Sequence, residues 1–269
     1  MPRTSGRALA LALAAGGLSA GPVHAGHVPQ AAVIGFSADG RYAAYEEHFT
    51  DDVSQEPYAA IHIVDVAGGT AVPGATTAVH IAIDGLPEAQ LLGDGEALAR
   101  QRALEQAAPL LARYGIARDN AGTVLVHRPP SDFDALPHDA QFSIGGAWSM
   151  WSPDLSVLRL SIREAEDAAC LRERGLPAVS LLRIDLEQGD GAVATTLHDD
   201  AGGLDAGRGC PVGYRLYQIV AFPVDPPGRD LCCAADYALL VLVAVEFMSG
   251  DEGTDARFLP AAALVERVF

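Results

Sequence analysis

Phe36-Ser37-Ala38-Asp39-Gly40-Arg41-Tyr42-Ala43-Ala44-Tyr45 reads as a tight polar turn feeding an alternating strand. Asp39-Gly40 supplies the positive-φ residue that such a turn needs, and the residues after it alternate as a half-buried strand does. A second strand follows at Ala60-Ile61-His62-Ile63-Val64-Asp65-Val66 and stops at the Gly68-Gly69 turn, with a polar loop from Thr50 to Pro57 between the two. Roughly 115 residues later the same grammar returns, and internal repeats decide a fold before any local feature does. There Trp151-Ser152-Pro153-Asp154 opens a strand from Val157 to Ile162, and Val179 to Leu186 runs to the turn Gly189-Asp190-Gly191. A third β-rich unit, Tyr214 to Phe222 with Tyr237 to Phe247, lacks the Ser-x-Asp opening. Such units are how one propeller blade is often written, yet two matching copies cannot close a ring. The pattern predicts a mainly β (α+β) protein, either propeller-like or built of two packed sheets.

One long helix is expected to pack on that β architecture. Glu96 to Tyr114 is rich in Ala, Leu, Glu, Gln and Arg, with Ala97, Leu104, Ala108 and Leu111 spaced as an apolar stripe. Gly115 stops it, and Pro109 is expected to kink or divide it.

The ends and the charge bound the compartment. Arg3 and Arg7 precede an apolar run from Ala8 to about Ala20, which breaks at Gly21-Pro22 and ends in Val23-His24-Ala25. This pattern reads as a signal peptide over residues 1–25 with cleavage expected after Ala25, and residues 26–269 are expected to form one secreted β-rich domain. The longest later apolar run, Ala238 to Val245, has the length of a buried strand, so no transmembrane segment is expected in the mature chain. Net charge is −17, and loss of Arg3 and Arg7 takes it to −19. A field of that sign disfavours nucleic acid and anionic lipid as partners.

Cys170, Cys210, Cys232 and Cys233 in an exported chain are disulfide candidates. Adjacent cysteines on a strand face opposite ways, so Cys170 and Cys210 are expected each to reach one of the Cys232-Cys233 pair. No C-x-x-C spacing points to metal or redox chemistry.

No G-x-S-x-G, H-E-x-x-H, phosphate-cradling glycine loop or EF-hand loop is present. Three acidic clusters stand out: Glu46-Glu47-His48 with Asp51-Asp52, His198-Asp199-Asp200 with Asp205, and Asp251-Glu252 with Asp255. Without regular ligand spacing they read as solvated acidic loops, and neither a metal nor a cofactor is expected. Glu46 and Glu47 are adjacent on a strand and therefore unsuited to act together as a catalytic pair, although one of them could face a pocket as a general acid. Gly26-His27 at the new terminus carries a copper-chelating arrangement, but reads as a frayed end. Trp148 and Trp151 lie in an apolar stretch that reads as core.

Phe36-Ser37-x-Asp39-Gly40-Arg41-Tyr42, leading to Glu46-Glu47, Tyr58 and Asp65-Val66-Ala67, resembles the opening of an uncharacterised family of predicted secreted bacterial proteins. The resemblance continues through Tyr114-Gly115-Ile116, Cys210-Pro211 with Tyr214, and the closing Arg257-Phe258, nearly the whole mature chain. It implies export and a single domain of about this length, and brings no reaction, substrate or catalytic residue. The opening is also similar to propeller repeats such as those of the periplasmic TolB-like proteins, from which the chain departs in having too few repeats and a long helix between them.

The chain is therefore expected to be a soluble periplasmic or secreted module that binds an envelope protein or a small ligand without a catalytic step. Its recognition face is expected on the loops from Glu46 to Tyr58 and from Ser249 to Phe258, with Glu46, Glu47, Tyr58, Asp251, Glu252 and Arg257 as binding residues. The alternative is a cleft hydrolase acting on an envelope or extracellular substrate through Glu46 or Glu47, with or without a bound cation.

Overall fold

In the computed structural model, residues 29–51, 54–82, 95–132, 138–143, 155–188, 191–204, 208–224, 236–249 and 253–265 are described. The expected signal peptide (residues 1–25), Gly26-His27, Asp52, Trp148, Trp151, Asp205, Cys232, Cys233, Asp251 and Glu252 lie outside them.

The Asp39-Gly40 turn forms as its chemistry requires. Gly40 takes φ 67°, Ser37 Oγ donates to Asp39 Oδ1 at 2.6 Å, and the Arg41 and Tyr42 amides donate to Asp39 Oδ1 and Ser37 Oγ. It joins β1 (Gln30–Ser37) to β2 (Tyr42–Thr50), and β3 (Pro57–Asp65) and β4 (Thr70–His80) complete an antiparallel meander. The two-residue β5 (Ile116–Ala117) pairs with the end of β1, giving the order β4-β3-β2-β1-β5.

The two later sheets are also antiparallel. The order β10-β9-β8-β7 is built from β7 (Ala140–Ser143), β8 (Leu155–Glu166), β9 (Ala178–Gln188) and β10 (Ala192–Asp199). The remaining sheet, β13-β12-β11-β6, comprises β6 (Thr123–His127), β11 (Pro211–Val224), β12 (Asp236–Ser249) and β13 (Gly253–Val265). Strands β1–β4 and β7–β10 are thus sequential meanders, whereas β6 reaches β11 only across the chain that forms β7–β10. The internal echo picks out β2–β3 and β8–β9, and the third β-rich unit is β11–β12.

The sheets stack as three layers, with the β6/β11–β13 sheet in the centre. Along β12, Leu239, Val241, Val243 and Val245 pack against Leu158, Leu182, Ile184 and Leu186 of one neighbour. The alternate residues Ala238, Leu240, Leu242 and Ala244 pack against Phe36, Ala43, Tyr45 and Val64 of the other. A strand buried on both faces needs an unbroken apolar sequence, which is what Ala238 to Val245 supplies. Each of the three antiparallel sheets is open among the described residues, so the two-sheet expectation gives way to three. The turn between β3 and β4 packs against the other layers: a Cβ on Gly69 would lie 3.1 Å from Ala262 O and 3.4 Å from Leu197 O.

Helix α1 (Gly95–Arg113) covers the outer face of the first sheet as one helix running through Pro109, not divided there. Its buried residues are Gly95, Ala99, Ala103 and Ala107, whereas Ala97 and Ala108 of the expected stripe are exposed and Leu104 and Leu111 are half-buried. Alanines at every fourth position lie on one face, and being small they let the helix sit down on Ala59, Ile61, Val79 and Ile81. A second, short helix, α2 (Ala168–Arg174), connects β8 to β9. No helix among the described residues is long and apolar enough to cross a membrane.

Candidate functional site

Alternation along β2 separates its two glutamates. Glu46 faces α1, where Arg100 grips it through two hydrogen bonds, Nε to Oε1 at 2.8 Å and Nη2 to Oε2 at 3.1 Å. That contact, the largest influence on Arg100, raises the guanidinium pKa. His48 on the same face contacts Glu96 Oε1 at 2.7 Å through Nδ1. Glu47 faces the central sheet, with Oε2 at 3.5 Å from His62 Nε2, and His62 Nδ1 is 3.3 Å from Thr76 Oγ1. Glu46, Glu47 and His48 are all buried, so this cluster is part of the sheet interior and not a solvated loop.

Tyr58 lies on the same face as Glu47, its ring between those of Phe49 and His80 at centroid distances of 4.8 and 4.6 Å. Burial, and then the Glu47 charge, raise its pKa, while Arg257 pulls it down. Arg257 itself leaves β13 towards the other face, since its neighbour Phe258 packs with the first sheet. The structure therefore brings Glu47 and Tyr58 together, sets Glu46 behind them against the helix, and leaves Arg257 near enough for its charge to reach Tyr58 while it lines a separate cleft.

That cleft, of about 340 Å³, lies between the central and third sheets. One wall is the end of α2, with Glu173, Arg174 and Leu176. Asp167 caps the start of this helix through the Ala169 and Cys170 amides, and Gly175, at φ 70°, ends it. A second wall is Arg208-Gly209-Cys210, and Phe247 and Met248 of β12 with Asp255 and Arg257 of β13 form the third. The Cys170–Cys210 disulfide, with Cα atoms 5.6 Å apart, ties the first wall to the second. Cys170 and Cys210 thus pair with each other, contrary to the expectation that each would reach Cys232 or Cys233. The reason is local: α2 and the approach to β11 meet at one end of β9, where both cysteines pack against Val179 and Leu181.

Arg208 roots the second wall in the interior. It is ion-paired with Asp200, which also accepts from the Leu182 amide at 2.8 Å and lies 2.8 Å from His198 Nε2. Burial acts to raise the Asp200 pKa, but the His198 and Leu182 hydrogen bonds and the Arg208 charge outweigh it and hold the carboxyl below its ordinary range. Nearby Tyr214 donates to Ser180 O at 3.1 Å, and burial pushes its phenol up to about 12. Asp200 is therefore a structural anion, not a solvated loop residue. No sequence signal announces Arg208 or Arg174 as cleft residues; the Cys210 spacing was the nearest clue.

A larger trough of about 550 Å³ runs along α1 past Ala97, Leu104 and Ala108, but its Arg100 is already committed to Glu46. Among the described residues no three His, Cys, Asp or Glu side chains are grouped as a metal site requires.

The profile of a family described as "Predicted secreted protein (DUF2259)" matches residues 44–263. No curated protein matches the chain.

Proposed function

The chain belongs to that family of predicted secreted proteins, and on this premise we propose that it works outside the cytoplasm as a binding module with no catalytic step. In this reading residues 26–269 act as one domain, released after cleavage behind Ala25 and taking an envelope protein or a small ligand in the periplasm or beyond. The observation that carries the reading is the state of the carboxylates. A glycosidase-like or other acid–base hydrolase needs two carboxyl groups converging on one cleft. Here Glu46 and Glu47 point to opposite faces of one sheet, and Glu46 is locked by Arg100.

The recognition face is assigned to the end of the molecule that carries Arg257, together with Asp251 and Glu252, which lie between β12 and β13 in the sequence. Tyr58 supports a second, partly buried surface on the first sheet beside the buried Glu47, while Glu46 serves the fold. Native mass spectrometry of the mature protein isolated from its own envelope extract tests the proposal. A co-purifying small molecule or partner chain is the expected result. Repeated isolation of the bare protein, together with hydrolytic activity that disappears in Glu47→Gln, would establish the hydrolase alternative in its place.

A further inference from the structure

We propose that the cleft between α2, the Arg208–Cys210 segment and the β12–β13 end binds a small organic oxyanion, a carboxylate or phosphate group carried on a partly apolar body. The inference rests on the binding-module reading and names its ligand class. Three arginines, Arg174, Arg208 and Arg257, converge on this one cleft in a chain whose net charge is −17. With Arg208 neutralised by Asp200, and Glu173 and Asp255 beside Arg174 and Arg257, the cleft is close to neutral, in contrast to an overall field that repels anions elsewhere. Arg208 is held in place by Asp200 and only 9% of its side chain is exposed, so it forms a fixed part of the wall. Arg174 and Arg257 are exposed and make no ion pair or side-chain hydrogen bond among the described residues. Guanidinium groups present planar paired donors that match carboxylate and phosphate oxygens.

The remaining lining narrows the choice. Leu176, Phe247 and Met248 supply apolar surface beside the arginines, which suits a ligand with a hydrocarbon portion. Glu173 and Asp255 also face the cleft, and their charge disfavours a ligand carrying many negative groups. A hollow of about 340 Å³ falls within the range of small-molecule sites. The disulfide holds two of the three walls together, so the arginine spacing is set before a ligand arrives.

The test is isothermal titration of the oxidised mature protein with succinate and with inorganic phosphate at low salt, beside native mass spectrometry of the same preparations. Saturable binding of at least one anion is expected, and which one binds distinguishes the carboxylate from the phosphate class. The double variant Arg174→Gln/Arg257→Gln should weaken it by about tenfold or more, the loss of charged hydrogen bonds of this kind. Arg159→Gln, on the outer face of the third sheet, should leave it unchanged. Binding that survives the double variant, or no saturable binding of either anion, overturns the proposal. A ligand that co-purifies equally with wild type and double variant overturns the cleft assignment while the binding-module reading stands. Bare protein in every preparation, with no titration signal, removes both.

Discussion

Asp200 stands in the run His198-Asp199-Asp200, and nothing in that run separates it from Asp199, yet the two live differently. Asp199 is exposed, accepting from Arg183 at 3.0 Å, whereas Asp200 turns inward to Arg208, His198 and the Leu182 amide. Alternation on a strand told that Glu46 and Glu47 would part, because that depends only on neighbours. It could not tell that Arg100 or Arg208 would arrive, because those partners are set by packing of distant elements. Asp200→Asn removes one charge of a buried pair and leaves Arg208 without its counter-ion, so it should cost about 3 kcal/mol at neutral pH. The sign of the pH dependence follows from the lowered folded-state pKa. The Asp200 contribution is complete above the ordinary value of 3.8, and it fades as pH falls through the lower folded value, where the protonated acid resembles the amide. Urea midpoints of wild type and variant should therefore differ widely at pH 7 and draw together in strong acid. A difference that stays constant across that range would count against a charged Asp200.

At the scale of elements, α1 shows where a periodic pattern is read correctly as helix and wrongly as orientation. Its composition and the Gly115 stop locate it well, since both are local properties. The buried face is another matter, because Leu104 and Leu111 are larger and more apolar than Ala99, Ala103 and Ala107, and a hydrophobicity pattern favours the leucines. The sheet instead selects small residues, for close approach to Ile61 and Val79. Ala103 is 0% exposed, so Ala103→Leu should overpack the contact and cost about 1–3 kcal/mol. Ala108→Leu, on the exposed side, should change stability by no more than about 0.5 kcal/mol. Chemical denaturation of the two variants decides it, and equal effects would mean that the helix is rotated from the face described. The strands obey a related rule: the register shift between Leu216 and Gln218 moves the third-sheet face from Tyr214 and Leu216 to Ile219 and Ala221. Such a bulge reverses the alternation midway, and no residue pattern in β11 marks it.

The whole molecule depends on the central sheet lying between two others. Repetition of one strand–turn grammar made two β units visible in the sequence, a third showed as β-rich without that opening, and the apolar run in β12 has the length of a buried strand. What covers each side was not visible, because face-to-face packing leaves no signature in spacing; that is why two sheets or a partial propeller fitted equally well. The layered arrangement has a consequence for stability that a two-sheet sandwich lacks. Leu239 to Val245 are covered on both faces by apolar cores and hydrogen-bonded on both edges by β11 and β13. Edge strands β4 and β10 have one bonded neighbour each, and many of their side chains are exposed. Amides at the centre of β12 can exchange only when the stack opens as a whole, while those of β4 and β10 exchange through local fraying. Hydrogen exchange followed by mass spectrometry should accordingly find β12 protected longest, with an opening free energy matching that from global denaturation, and β4 and β10 exchanging well before it. Early exchange in β12 together with slow exchange in either outer sheet would mean that the layers unfold separately and that the central sheet is not the structural axis of the protein.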